Sequence, residues 1–238
     1  MIGRIVLAAL IAGMAAGILM GGIQHVRITP IILAAEVYEK AAETAAPAQT
    51  TTKDATAMTM THDHAEEWEP SDGLQRTLLT TLASVIAGAG FAGMLAGISL
   101  LTGVAITPRN GVIWGLCGFL CVTVATGAGL PPEVPGMPSA DLLGRQVWWV
   151  GTVIATGVGI YLIAVKRSFL PVIGAVVIIA LPHIIGAPQP PTLETTVPAG
   201  LAAEFASNTV AAAAVFWCLI GVFLGLALKR FSKEIYAS

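Results

Sequence analysis

Residues 5–24, IVLAALIAGMAAGILMGGIQ, decide the fold. Twenty residues pass without an Asp, Glu, Lys or Arg, and four of them are glycine. At about 1.5 Å rise per residue a helix of this length crosses a hydrocarbon core of about 30 Å. The run does not alternate every second residue, so it is not a strand of a transmembrane barrel. It is also longer than the roughly 7–15 apolar residues of a signal-peptide core, and no clear small-x-small exit precedes Gln24. It reads as an uncleaved helix.

Five more uncharged apolar segments follow: Thr77–Leu101, Gly111–Leu130, Gln146–Val165, Leu170–Gly186 and Thr209–Leu228. The fifth span, with Pro171 and Pro182, is expected to be tilted, broken or partly inserted. Composition agrees with the pattern. Charged residues make up 11% of the 238-residue chain, against roughly 25% in a soluble domain. Mean hydropathy is +0.81. The fold class is all-α, a polytopic integral membrane bundle of about six helices with one long loop. It forms a single membrane domain over residues 1–238, with the lipid bilayer as its first partner. A net charge of −2 offers nothing to nucleic acid.

Glycines repeat at four-residue spacing: Gly13/Gly17/Gly21, Gly93/Gly97, Gly111/Gly115 and Gly221/Gly225. Such ridges let helices approach closely in lipid. Trp68, Trp148 and Trp149 read as anchors at the membrane interface.

Six spans return the chain to the side where it began. The terminal side then carries Arg4, Arg109, Lys166, Arg167, Lys229, Arg230 and Lys233 on short segments. The other side carries only Arg27, Lys40, Lys53, Arg76 and Arg145 over much longer ones. Basic residues concentrate on the cytoplasmic side, so both termini are expected there. The opposite face collects 13 of the 14 acids and raises the local concentration of cations. Cys117, Cys121 and Cys218 all lie inside spans, so no disulfide framework is implied.

All four histidines fall on that acidic face. The long segment 25–76 opens with a short amphipathic helix around Ile31–Thr44. An Ala- and Thr-rich stretch follows, and then Met58-Thr-Met-Thr-His-Asp-His-Ala-Glu-Glu67. Ser71 or Asp72 is placed to cap the next helix. In an extended chain His62 and His64 point the same way, while in a helix His62 meets Glu66. Asp63, Glu66 and Glu67 add carboxylates in either case. Nitrogen and oxygen donors together suit Co, Ni, Zn or Mn. The alternative is a solvated acidic loop that happens to contain histidines.

His25 and His183 stand at the ends of apolar spans, where a polar ring is costly unless partnered. Pro182 frees a carbonyl one turn back, which with His183 offers an ion a polar spot. The alternative for both is an interfacial histidine bonded to a loop. Imidazole binds metal only when neutral, so capture weakens below about pH 6. The chain has no Gly-x-x-x-x-Gly-Lys-Ser/Thr, no His-Glu-x-x-His and no membrane-embedded carboxylate. Neither an enzyme nor a prosthetic group is therefore expected.

Several strings in order carry a resemblance. They are Ile23-Gln-His25 with Thr29-Pro30, Trp68-Glu-Pro-Ser-Asp-Gly-Leu-Gln-Arg76 and Gly129-Leu-Pro-Pro-Glu-Val-Pro-Gly-Met-Pro138. Arg145-Gln-Val-Trp-Trp149 and Leu181-Pro-His-Ile-Ile-Gly-Ala-Pro-Gln-Pro190 continue it. The chain resembles the CbtA family of bacterial cobalt transporter subunits almost from end to end. The resemblance implies uptake of Co²⁺ as transported ion across the bacterial inner membrane, linked to cobalamin supply. It also implies a small single-span partner, CbtB. Donor chemistry alone leaves open a permease for another divalent metal such as nickel, or a non-transporting scaffold or metal-sensing subunit.

Overall fold

The computed structural model describes residues 2–45, 70–166 and 168–233, the side chains of 43, 45, 232 and 233 excepted. All regular structure among them is helical, and it falls into six rods. The first, α1, joins Ile2–Ile23 and Thr29–Ala45 through one π turn, Gln24–Ile28. α2 is Leu74–Thr102. α3 runs Gly111–Gly127 with a π turn at Leu120–Val124. α4 runs Leu142–Lys166, its last turn also π. α5 is Phe169–Ile185 and α6 is Ala199–Lys233. By length and composition α1, α2, α4 and α6 can each cross a membrane, and α3 and α5 are shorter apolar helices. The fold is a multi-pass membrane helix bundle.

The first rod differs from its expected form. The amphipathic helix near Ile31–Thr44 is present, but it continues the first span instead of lying in a separate loop. Pro30 would end an ordinary α-helix, because its ring collides with the carbonyl four residues back. The π turn just before it solves this. The Thr29 N–H reaches the Gln24 carbonyl, a five-residue step, and the widened turn makes room for the ring. The resulting rod of 44 residues measures about 66 Å, more than twice a hydrocarbon core. Its second half therefore stands beyond the apolar zone.

The fifth span is an unbroken helix, and its prolines show why. Pro171 lies in the first turn, where the missing N–H has no helical partner in any case. Pro182 falls in the last turn, so little helix remains to be disturbed.

Two antiparallel seams hold the core together. In the first, a Cβ on Gly13 would strike the backbone of Gly88 and Ala89, and one on Gly17 would strike Ser84 and Val85. In the second, Gly111 and Gly221 face each other backbone to backbone, and Gly115 sits against the carbonyl of Trp217. Gly118 seats the Trp217 ring, which stacks tilted on Phe91 at 4.6 Å. Trp217, Ile220 and Leu224 are almost wholly buried between the two seams. Gly93 and Gly97 depart from expectation: nothing lies within 4 Å of a Cβ on either. The helix face set by the Gly13–Gly88 contact leaves them pointing away from it.

α4 and α5 form a third pair, set against the far end of α3. Trp148 is not an interface anchor. It is 9% exposed, and its Nε1 donates to the Pro182 carbonyl at 3.0 Å, bolting α4 to α5. At the same end the Pro-rich segment 131–138 and residues 195–197 wrap the outer half of α1. Ala35, Val134 and Val197 make a small separate core there. The hydroxyls of Thr195 and Thr196 donate to the carbonyls of Gly136 and Tyr38.

The seams generate a stability prediction. Gly221→Val should cost about 1–3 kcal/mol or more, because backbone cannot yield as a side chain can. Gly97→Ala should be neutral. Thermal midpoints of the purified variants in one detergent would show this, and equal midpoints would contradict it.

Candidate functional site

The polar groups of the wrapped end gather along the α1–α2 seam. Spacing along α2 explains it: Arg76, Thr77, Thr80, Thr81 and Ser84 recur at three- and four-residue steps and so share one helix face. The glycine contacts bring that face against α1. Thr81 packs on Gly21. Ser84 Oγ lies 2.7 Å from Gln24 Oε1 and 2.9 Å from the Thr80 carbonyl, sharing its one proton between them.

His25 belongs to this row. It lies in the π turn with its ring exposed at the surface of the bundle. The Thr77 hydroxyl donates to the Gly73 carbonyl at 2.9 Å, and the same oxygen stands 3.0 Å from His25 Nδ1. In the tautomer with its proton on Nδ1 the imidazole donates to that oxygen, while the hydroxyl proton stays on the Gly73 carbonyl, which only accepts. A neutral ring so held keeps its lone pair on Nε2. This is the orienting contact that metal-binding histidines use.

Further out, Arg76 and Glu36 pair through two contacts, 2.6 and 3.3 Å, with side chains 17% and 14% exposed. Asp72 adds a third at 3.0 Å. Neither Ser71 nor Asp72 caps α2. Gly73 holds that position, while Gln75 reaches back to accept from the Ser71 N–H at 3.0 Å. Asp72 is committed to Arg76 instead.

His183 stands apart. Its ring meets Trp148 edge to face, with centroids 5.8 Å apart. The carbonyl of Pro182 itself accepts from Trp148 and from the Gly186 N–H, whereas the carbonyl that its missing N–H leaves open is that of Ile178, one turn back. α5 packs chiefly on α4, whereas His25 rides on the helix paired with α2. The two boundary histidines therefore sit on different helix pairs. Among the described residues no three His, Cys, Asp or Glu side chains converge to hold a metal ion. His62, Asp63, His64, Glu66 and Glu67 lie outside the described residues. The three cysteines are unpaired by disulfide, and Cys121 faces Gly157 of α4.

Gln24, Glu36, Arg76, Thr77 and Ser84 were not singled out from sequence. A Gln closing an apolar run was a usable signal. The periodic Thr/Ser face of α2 was another, because hydroxyls on one stripe of an apolar helix point to a neighbour.

Bundle and polar seam together define the class: an all-helical, multi-pass membrane protein with a partnered histidine at one end of its core. The chain belongs to the CbtA family. The family model, described as "Probable cobalt transporter subunit (CbtA)", matches residues 2–229. The description of a subunit implies further subunits and a metal cargo. No curated protein and no solved structure matches the chain.

Glu36→Gln sets a neutral amide against the Arg76 guanidinium, which keeps its contact with Asp72. The cost should fall between that of an exposed pair and that of a buried one, about 2 kcal/mol. Thermal unfolding of the variant in detergent tests this. A midpoint equal to that of the parent would assign the pair no stabilising part.

Proposed function

We propose that this chain is the membrane subunit of a cobalt uptake transporter, taking Co²⁺ at the end of the bundle that carries His25 and passing it between the helices. The observation that carries the reading is the held orientation of His25, in a chain that belongs to a family of cobalt transporter subunits. Glu36, Glu39, Asp72, Glu133 and Glu194 stand at the same end and favour the approach of a cation. Cobalt itself comes from the family, because affinity order at nitrogen and oxygen donors favours Ni, Cu or Zn.

In this reading the histidine end faces outward from the bacterial inner membrane. The excess of Lys and Arg on the opposite side supports this, and puts both termini in the cytoplasm. His62, Asp63, His64, Glu66 and Glu67 collect the ion first. Weak capture serves transport, since the ion must also leave. His25 and His183 then guide it toward the bundle. The partner is CbtB, the small single-span subunit that the family resemblance implies. The chain is a carrier of the ion and no enzyme, and Co²⁺ is its cargo.

Uptake of radioactive cobalt by cells expressing the chain with its partner tests the site. Thr77→Val removes the group that orients His25. It should raise the half-saturating cobalt concentration about tenfold, the usual cost of losing an orienting partner, while Thr77→Ser keeps the parental value. Replacement of His62, His64 and His183 together should abolish most uptake at low cobalt. Unchanged uptake in the triple variant would sink the site assignment.

A further inference from the structure

A cavity of about 730 Å³ opens on a side of the bundle to which neither α1 nor α2, the helices that hold His25, contributes a lining residue. It lies between the far end of α3, the Pro-rich segment that follows, and the first turns of α4. Its walls are mostly apolar, with Val122, Leu130, Leu142 and Val150 among them. Leu142 and Val150 are 66% and 48% exposed, so the cavity wall runs on into the surface that meets lipid. An apolar recess opening sideways into a bilayer is filled by hydrocarbon, because no water competes for it.

The cavity also holds one opposed pair of charges. Arg145 Nη2 stands 3.3 Å from Glu133 Oε2, with side chains 31% and 22% exposed. Arg145 Nη2 and Glu133 Oε2 are the atoms that define this contact. A guanidinium carries five N–H donors and a carboxylate two oxygens, more than this one contact uses. Arg145 is in the first turn of α4, one turn before Trp149, which also lines the cavity. Arg and Trp at a helix end mark the headgroup level of a bilayer.

Charge complementarity selects the occupant. An anionic head would meet Glu133, and a bare divalent cation would meet Arg145. A head with one phosphate and one ammonium satisfies both. A primary ammonium donates hydrogen bonds to a carboxylate, which a trimethylated one cannot do. We propose that this cavity binds a bilayer phospholipid with a zwitterionic, primary-ammonium head. Its phosphate lies on Arg145, its ammonium on Glu133, and an acyl chain runs along Leu142 and Val150. The lipid braces the α3–α4 junction, where α3 carries its π turn at Leu120–Val124.

The test is lipid retention by the full-length protein. Purified wild type would be exchanged into nanodiscs of mixed phosphatidylethanolamine, phosphatidylcholine and phosphatidylglycerol. It would then be stripped in mild detergent, and the retained lipid identified by mass spectrometry. Phosphatidylethanolamine should be retained over phosphatidylcholine about tenfold, the ratio expected of one charge-assisted hydrogen bond. Glu133→Gln should erase that preference, and Arg145→Gln should lower retention of all three lipids. Val150→Trp, which fills the recess and keeps both charges, should release the lipid. Arg27→Gln, away from the cavity, should change nothing. Should the charge variants fail to fold, the headgroup series on wild type and Val150→Trp still decides. Equal retention of the two zwitterionic lipids, or preference for phosphatidylglycerol, would overturn the proposal. So would a protein helix, crosslinked from position 150, occupying the recess in place of lipid.

Discussion

Backbone resting on backbone at glycine is the contact on which the rest of the structure depends. Helices in lipid gain nothing from leaving water, since the tails around them are as apolar as their own side chains. They hold together by close approach, and only residues without a Cβ allow it. Gly13 on Gly88 and Gly111 on Gly221 supply that approach in two seams, and the buried Trp217 fills the space between them. Such contacts admit one register. A slip of one residue along α1 would place a side chain where Gly13 or Gly17 now meets bare backbone.

The same register decides the polar chemistry. With Gly17 fixed against Ser84 and Gly21 against Thr81, Gln24 reaches Ser84 and His25 reaches Thr77. Further out, the continued rod carries Glu36 to Arg76. Each of these groups would be expensive in an apolar setting alone, and each finds its partner through packing established deeper in the bundle. The rod also offers a post to the wrapping loops. Gly136, at φ +80°, brings the Pro-rich segment close to Glu39, and its carbonyl accepts from Thr195. An arrangement that orients one imidazole nitrogen outward is thus a consequence of small residues some twelve positions away.

Much of the bundle was legible in the sequence, because a span announces itself by local composition. All six apolar helices were found with their order, four of them long enough to cross a membrane, and the helix near Ile31–Thr44 with them. Continuity through Pro30 was not legible: a π turn depends on where one carbonyl moves, and no residue type encodes that. Trp148 was misplaced for a related reason. Tryptophan near a span end fits an interfacial anchor or a bolt between helices, and only the position of the Pro182 carbonyl decides. Glycine spacing found the seams but could not tell Gly13 from Gly97, since both kinds of face carry the same repeat. The histidines were legible as candidates and not as a set. His25 has a partner that makes chemical sense, His183 lies on another helix pair, and His62 and His64 fall outside the described residues.

Family membership and the held imidazole meet in one claim, that the chain carries cobalt across a membrane. Its most direct test is flux of radioactive cobalt into sealed vesicles containing the purified protein, with and without CbtB, against a panel of competing metals. Entry of cobalt with the partner present, reduced most strongly by unlabelled cobalt, is the predicted result. No entry in either preparation, while the protein remains folded and correctly inserted, would contradict it and leave a membrane scaffold in its place.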